Sequence, residues 1–491
     1  MSSLASTTHL SESNAAPELT ETDRSNIDQS LRLPVLFLFA SATGWLLLAI
    51  LFGFIASIKL HSPEFIGNLS WLTYGRIWPA YLDCFVYGWA IPSGLGAALW
   101  VIARVTGVAL GRPLVPAIAA LVWNIGVAAG ILEILAGNSQ GFEFFEFPRY
   151  VAVILFISYA LIASWAAVMM HEGASVKDSV SCWYFSAAFI WFPWLLGAAY
   201  LMLTVTHVPG VMQGLVGAWF AQNLIGLWFV SVGLGVIYYL IPKVTGRPIF
   251  SRQLASLGFW SFALFWGWTS ATRYTGGPLP VWLITVGIGS SILMLIPVAA
   301  VAANFALSLR GNFQKIASEP SIRFAGFSAV AWVVASILAI FTSLRSVDHV
   351  THFTQVSIGE THLFIFAFYT MAIFGAMYYI IPRLLGREWL SASFIQMHFW
   401  GSAYGIGLMV FLLLVGGVSQ GLAWNDPANY KSAVDVTDAF MSFLRVSGLA
   451  WLLLISSSMV FAMHFLIMMV GLGNQNYEPV SLAHDEEEAK S

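Results

Sequence analysis

The stretch FTQVSIGETHLFIFAFYTMAIFGAMYYIIPRLLGRE, residues 353–388, contains an apolar run long enough to cross a bilayer as a helix. Within this run, Glu360 and His362 lie two positions apart. A charged side chain at the centre of a membrane helix costs roughly 2.5–3.5 kcal/mol on insertion scales, so such residues indicate a functional site by default. Two positions along an α-helix correspond to a rotation of about 200°. Glu360 and His362 therefore face opposite sides of the helix and cannot bind one ion together.

The whole chain shares the apolar character of this stretch. Of its 491 residues, 58% are hydrophobic and 9% are charged, and the mean hydropathy is +0.79. In a soluble protein about a quarter of the residues are charged. The sequence therefore predicts an all-α membrane protein with twelve transmembrane helices. The twelve apolar runs are centred near Trp45, Gly94, Val127, Tyr159, Phe192, Trp228, Leu264, Ile292, Val333, Ala367, Gly407 and Ile455.

Polar segments flank these runs at both ends. Residues 1–31 are rich in Ser, Thr, Asp and Glu and are predicted to be a disordered tail, residues 32–472 the transmembrane domain, and residues 473–491 an acidic tail. Most of the 21 Lys and Arg residues fall in tails and loops on the side of the N-terminus. By the positive-inside rule, both termini are predicted to be cytoplasmic, with the protein in the cell inner membrane. Membrane lipid is thus an expected partner, and a formal net charge of -3 gives no reason to expect nucleic acid.

Several motifs, in order along the chain, resemble subunit I of the haem–copper oxidases, and most closely the cbb-type cytochrome c oxidases. YGRIWPAYLDCFVYGWA resembles the entrance to that family's second helix, and AGNSQGFEFFEFP (136–148) resembles the loop after its third helix. WFAQNLIGLWFVSVGLGVIYYLIPK resembles the sixth helix, and the opening stretch resembles the tenth. MHFWGSAYGIGL and FLRVSGLAWLL resemble the eleventh and twelfth. The resemblance runs from about residue 32 to 472 and implies twelve helices in three arcs around cofactor pores.

An active member of that family uses six histidines to hold a low-spin haem, a high-spin haem and copper. The resemblance places Tyr81 at the low-spin ligand position of the second helix, Gln222 at a copper ligand position of the sixth, and Glu360 at the high-spin haem position of the tenth. Only His362 matches a haem ligand, so five of the six expected histidines are missing. No histidine occurs between His207 and His349, the interval that contains both helices expected to bind copper. Copper is therefore not expected. At most one haem is expected, bound to His362.

The resemblance implies roles for further polar residues. Arg445 matches an arginine that would contact haem propionates, and Glu143 matches a residue at a calcium and propionate site. His352 matches a histidine near the outer surface, and Trp266 falls roughly where the family has its redox tyrosine. Asp83 and Glu133 are further intramembrane acids, either of which is a candidate ion-pair partner for Arg445.

The leading hypothesis is a degenerate subunit I that keeps the fold and has lost the oxygen-reducing centre. It would act as a structural or auxiliary part of a respiratory redox complex in the electron transport chain, beside a cytochrome c-type subunit or other respiratory subunits. One alternative is an active cytochrome c oxidase with haem and copper, which leaves enzymatic activity undecided from the sequence. A second alternative is a path for protons or other ions, lined by the buried acids, Gln222 and Arg445.

Overall fold

The computed structural model describes residues 19–173 and 178–472, and these residues are almost entirely helical. Within these described ranges, eleven helices are long and apolar enough to cross a membrane. With the shorter α7, the long helices of the described residues are α1 (Glu21–His61), α2 (Tyr74–Thr106), α3 (Leu114–Ala136), α4 (Arg149–Glu172), α5 (Val180–Val205), α6 (Val211–Thr245), α7 (Arg252–Phe265), α8 (Val281–Leu309), α9 (Pro320–Ser343), α10 (Gln355–Leu385), α11 (Ala392–Trp424) and α12 (Ala433–Met469). The predicted all-α membrane bundle is confirmed.

The seventh predicted run differs from the others because its α-helix is short. After 14 residues α7 continues without a break as a 3₁₀-helix, Trp266–Tyr274, of 9 residues. Within this 3₁₀-helix the hydroxyls of Thr269 and Thr272 each donate to the carbonyl three residues earlier. At about 1.5 Å per α-helical and about 2 Å per 3₁₀ residue, the two pieces span roughly 39 Å, more than the hydrocarbon core of about 30 Å. The prediction of twelve crossings is therefore compatible with eleven uninterrupted helices.

Helix α1 begins earlier than the sequence prediction. Its N-terminus is fixed by a capping box in which the Thr20 side chain accepts from the backbone of Asp23, and the Asp23 side chain accepts from the backbone of Thr20. Ile27 and Leu31 are already buried against the bundle. The predicted tail 1–31 is thus too long by the first turns of α1. The acidic tail 473–491 lies outside the described residues.

Three helices form the centre of the bundle. In α2, α6 and α10 between 94% and 100% of the most apolar window is buried, against 39–56% in the other eight spans. Each of the three also contains a π-helical segment: Cys84–Ala90, Leu224–Val230 and Leu363–Thr370. Such segments are rare and occur frequently at functional sites. Each begins one or two residues after a position that the sequence analysis singled out, Asp83, Gln222 or His362, whereas a fourth π-helical segment among the described residues, Tyr200–Val205, ends α5. The central helices therefore carry the candidate site.

Candidate functional site

The first cluster of candidate residues joins α2 to α10. The Nδ1 atom of His362 lies 2.6 Å from the carbonyl oxygen of Ile358, and Nε2 lies 2.9 Å from the hydroxyl of Tyr81. Because a carbonyl only accepts, Nδ1 carries the proton and Nε2 accepts from the Tyr81 hydroxyl. Both side chains are buried, with His362 only 2% exposed. The two residues that the resemblance placed on either side of a haem are therefore hydrogen-bonded directly to each other.

Aromatic side chains close the space around this pair. Trp451 packs edge-on against Tyr81, His362 and Phe366. Its indole lies over Gly53 of α1, where a Cβ atom would overlap the ring. The cavity that remains beside His362 and Trp451 has a volume of about 20 Å³, enough for about one water molecule. The aromatic packing replaces the volume that a large flat cofactor would need.

The pair does not fit a six-coordinate haem. A bond between an imidazole nitrogen and a metal is about 2 Å long, so two ligands on opposite sides of one metal ion have donor atoms about 4 Å apart. The His362 and Tyr81 donor atoms are 2.9 Å apart, and the lone pair of Nε2 already accepts a hydrogen bond. Haem binding at this position would require α2 and α10 to separate and Trp451 to move.

The second cluster surrounds a larger cavity of about 450 Å³ between α6, the 3₁₀-helix after α7, α9 and α10. Gln222, Trp266 and Glu360, which the resemblance assigned to lost copper, redox and haem positions, all line it. Trp266 reaches this wall because α6 carries no side chain at Gly226, where a Cβ would overlap the indole. The Trp266 Nε1 atom donates to the carbonyl of Gln222 at 3.0 Å. The structure thus brings together residues 138 positions apart in the sequence, as the resemblance implied (360 − 222).

Every polar group at these replaced positions has a hydrogen-bond partner. Glu360 accepts from the Thr342 hydroxyl at 2.8 Å. The Gln222 side chain donates to Thr269 at 3.4 Å and accepts from Arg273 at 3.3 Å. The histidine among the described lining residues is His352, whereas a copper site of this kind uses three imidazoles. The residues present do not fit copper, and the carboxylate of Glu360 stands where a haem-binding imidazole would be needed.

Glu143, the predicted calcium residue, lies at the mouth of the cavity. Its Oε2 accepts from Arg273 Nη1 at 3.0 Å, and its side chain is 41% exposed. No group of three or more His, Cys, Asp or Glu side chains suited to a metal ion occurs within residues 19–173 and 178–472. An ion pair with arginine neutralises the carboxylate, so this geometry supports an ion-paired residue better than a calcium ligand.

The remaining predicted polar residues lie apart from one another. Arg445 is exposed on α12, within electrostatic range of His61. Glu133 is at the end of α3, where it accepts from Asn138 at 2.9 Å and Tyr150 at 2.8 Å. Asp83 is fully buried elsewhere in the bundle. Within the described residues neither acid is paired with Arg445, because Glu133 bonds to Asn138 and Tyr150 and the Asp83 carboxylate has no hydrogen-bond partner.

Asp83 instead lies close to Glu146, a residue that the sequence analysis missed. The two carboxylate oxygens of Asp83 have no hydrogen-bond partner among the described residues, and Oε2 of Glu146 has none either. Burial, reinforced by the neighbouring charge of Asp83, raises the pKa of the Glu146 carboxyl well above its ordinary value. In the loop before Glu146, Phe144 has φ 60°, and its carbonyl accepts from the hydroxyl of Tyr87, 2.7 Å away. The signal in the sequence was a second acid three residues after Glu143.

The site also contains residues that the motifs could not indicate. Arg273 and Thr342 supply the donors that satisfy Glu143, Gln222 and Glu360. The motifs gave no reason to single out Arg273, and Thr342 stood out only as a polar residue within an apolar run. Their contribution becomes evident once the helices are packed.

Comparison with known proteins supports the fold and the family. The sequence profile of the family described as Cytochrome C and Quinol oxidase polypeptide I matches residues 34–453. A cytochrome c oxidase subunit 1 homolog from Azorhizobium caulinodans is 25% identical over 438 residues, which cover 86% of this chain and 79% of that protein. The cbb3-type cytochrome c oxidase subunit CcoN1 from Stutzerimonas stutzeri is 23% identical over 398 residues, covering 77% of this chain and 82% of that protein.

A solved structure agrees at the level of the fold. The cryo-EM structure of a heme-copper terminal oxidase dimer superposes with a TM-score of 0.70 at 14% sequence identity, over 95% of this chain and 86% of the other. The motif order, the central helices α2, α6 and α10, and the profile match over most of the chain lead to the same conclusion. The chain belongs to the cytochrome c and quinol oxidase polypeptide I family.

Proposed function

We propose that this protein is a subunit I-like membrane protein in which the haem–copper centre has been replaced by hydrogen-bonded side chains. It would serve as a structural or auxiliary subunit of a respiratory redox complex rather than as the site of oxygen reduction. The observation that carries this proposal is the direct Tyr81–His362 hydrogen bond of 2.9 Å, made by the one surviving family histidine. At the second cofactor position, the hydrogen bonds made by the Glu360 and Gln222 side chains also support the proposal.

The energetics of burial favour this interpretation. A ligand position that had merely lost its cofactor would leave an unpaired polar side chain in a low-dielectric interior, at a cost of about 1–3 kcal/mol. Here the replaced positions carry polar side chains whose partners are in place, and the space beside His362 is filled by aromatic rings. This pattern is typical of a site rebuilt for stability without the metal groups.

For the partners we propose the surrounding lipid and a membrane-tethered cytochrome c-type subunit or other respiratory subunits. The related CcoN1 is named as a subunit of a cbb3-type oxidase, so its family role is within an assembly. The excess of Lys and Arg in loops on the N-terminal side supports an orientation with both termini in the cytoplasm.

The deciding experiment is a haem and metal inventory of the purified full-length protein. A reduced-minus-oxidised absorption spectrum, a pyridine haemochrome assay and copper analysis are expected to find neither haem nor copper. Two haems and one copper per chain would refute the proposal and establish an active oxidase. One haem that disappears in His362→Ala would identify a single-haem electron carrier. His398→Ala is the matched control, because His398 is also fully buried and bonds to a tyrosine, Tyr378, at 2.8 Å.

A second candidate function, a proton path, is favoured by one observation. Glu360 is ionisable and lines a cavity that reaches the partly exposed Glu143. Reconstituted liposomes with an internal pH dye would test it: proton flux that Glu360→Gln abolishes would support conduction. Equal flux in the wild type, in Glu360→Gln and in empty liposomes would exclude it.

A further inference from the structure

The 450 Å³ cavity has features of a ligand site that the loss of a metal centre does not by itself explain. Its volume lies within the range of about 300–1,000 Å³ typical of small-molecule pockets. It opens to the surface, since Phe353 among its lining residues is 85% exposed. Apolar side chains, including the Trp266 indole, form part of its wall. The proposal below rests on the proposed absence of haem here, because a haem would fill this space.

The charges around the cavity are unbalanced. Three of its lining residues are acidic, Glu143, Asp348 and Glu360, and one is a permanent cation, Arg273. Arg273 is already engaged by the Glu143 carboxylate at 3.0 Å and by the Gln222 side chain at 3.3 Å. An anion would have to compete with Glu143 for it. A cleft with an excess of acidic groups instead concentrates cations.

Several lining atoms of the cavity can accept further hydrogen bonds. Asp348 Oδ1 lies 3.0 Å from Nδ1 of His352, so Nδ1 donates to the carboxylate, and in this Nδ1-protonated tautomer Nε2 is an acceptor. That Nε2 atom has no partner among the described residues, and neither has the Oγ atom of Ser336, a residue only 3% exposed. On Glu360, Thr342 occupies Oε2. Three groups of the lining thus have unused acceptor capacity.

We propose that this cavity binds a small primary-amine cation that carries an apolar or aromatic group. An ammonium group has three donors and no acceptor, which matches the acceptors of Glu360, His352 and Ser336. The Glu360 carboxylate supplies the counter-charge, and the face of Trp266 can bind the cation or stack on an aromatic substituent. Binding is non-covalent, so no electron or group transfer is involved.

The test uses two ring compounds of nearly equal shape, benzylamine and benzyl alcohol. The first is a cation at neutral pH and the second is neutral, so their difference isolates the charge. Isothermal titration calorimetry of the full-length protein in detergent, corrected with empty micelles, is expected to give at least tenfold tighter binding of benzylamine. Equal affinities for the two compounds would overturn the proposal.

Variants of the lining locate the interaction. Glu360→Gln keeps the shape of the side chain, and it is expected to reduce the preference for benzylamine about tenfold or more, as for loss of a hydrogen bond to a charged group. His349→Phe is the matched control for His352→Phe, because His349 is exposed and does not line the cavity. His352→Phe is expected to weaken benzylamine binding while His349→Phe does not. If Glu360→Gln kept the full preference for benzylamine over benzyl alcohol, the assignment of Glu360 as the counter-charge would be contradicted.

Two further measurements distinguish the possible sources of the amine and show which of the two proposals has failed. Competition by phosphatidylethanolamine nanodiscs, but not phosphatidylglycerol nanodiscs, would identify a lipid headgroup as the amine, and competition by neither would identify a soluble amine. The absorption spectrum of the same sample distinguishes the two proposals. A haem band would overturn both the proposed function and this inference, whereas a haem-free protein without amine preference would overturn this inference alone.

Discussion

Replacing Tyr81 with phenylalanine tests the central contact of the site. Tyr81→Phe removes the hydroxyl that lies 2.9 Å from His362 Nε2 and leaves that nitrogen buried without a donor. The lost hydrogen bond and the unsatisfied acceptor together are expected to reduce the free energy of unfolding by about 1–3 kcal/mol. His362→Leu is expected to cost a similar amount, because it strands the Tyr81 hydroxyl.

The double variant decides whether the two residues act as a pair. Removing both polar groups at once leaves nothing unsatisfied, so Tyr81→Phe with His362→Leu is expected to cost less than the sum of the single changes by about 1 kcal/mol. That magnitude lies between the average of about 0.6 and the maximum of about 1.7 kcal/mol measured for interhelical hydrogen bonds in bacteriorhodopsin. Unfolding in mixed detergent micelles, followed by circular dichroism, provides the four free energies.

A control cycle pairs Tyr81→Phe with His398→Leu, since the hydroxyl bonded to His398 is that of Tyr378. These two changes are expected to add within about 0.3–0.5 kcal/mol, as distant sites do. A coupling between Tyr81 and His362 as small as this control would refute the reasoning. Such a result is the one expected if a haem iron separated the two side chains.

Further predictions concern the second cavity, the packing and the outer loop. Gln222→His is expected to leave the copper content, measured by mass spectrometry, unchanged, because His352 would be its only histidine companion among the described lining residues; one bound copper per chain would contradict this. Gly226→Ala is expected to lower the free energy of unfolding by about 1–3 kcal/mol, because the new Cβ would overlap Trp266. Gly44→Ala is the control: a Cβ there meets nothing within 4 Å, so its free energy of unfolding is expected to stay within about 0.5 kcal/mol of the wild-type value in the same assay. Because the pKa of Glu146 is raised on folding, its contribution to stability is present below its unfolded pKa of about 4.3 and is lost as the pH rises through the folded value. Glu146→Gln is therefore expected to flatten the loss of stability on the alkaline side, and an unchanged pH profile would show that the carboxyl does not titrate in this way.

Much of the fold was predictable because a bilayer limits the choices. Runs of about 20 apolar residues can only be helices there, and the resemblance placed the ligand positions on the second, sixth and tenth helices, which the structure shows to be central. The α-helix of the seventh run ends early, at Phe265, where a 3₁₀-helix follows, and hydropathy does not distinguish the two windings. The start of α1 was missed because its first turns are polar and depend on the cap made by Thr20.

The sequence predicted the positions of the candidate site residues better than it predicted their hydrogen-bond partners. Gln222, Trp266 and Glu360 were placed together by resemblance, and they share one cavity. The direct bond of Tyr81 to His362 could not be predicted, because it depends on how closely α2 and α10 approach each other. The location of Arg445 depends on the rotation of α12, which a helix with apolar residues on all sides does not reveal.

The bond between Tyr81 and His362 bears on how the protein is made. In a haem protein, the two helices that hold the cofactor are joined only after the haem has been delivered, so maturation waits for haem synthesis and insertion. Here α2 and α10 are joined by side chains that the ribosome supplies with the chain. If the protein holds no haem, as proposed above, the bundle can close as soon as its helices are in the membrane, and its yield is expected to be the same in hosts with and without a supply of haem.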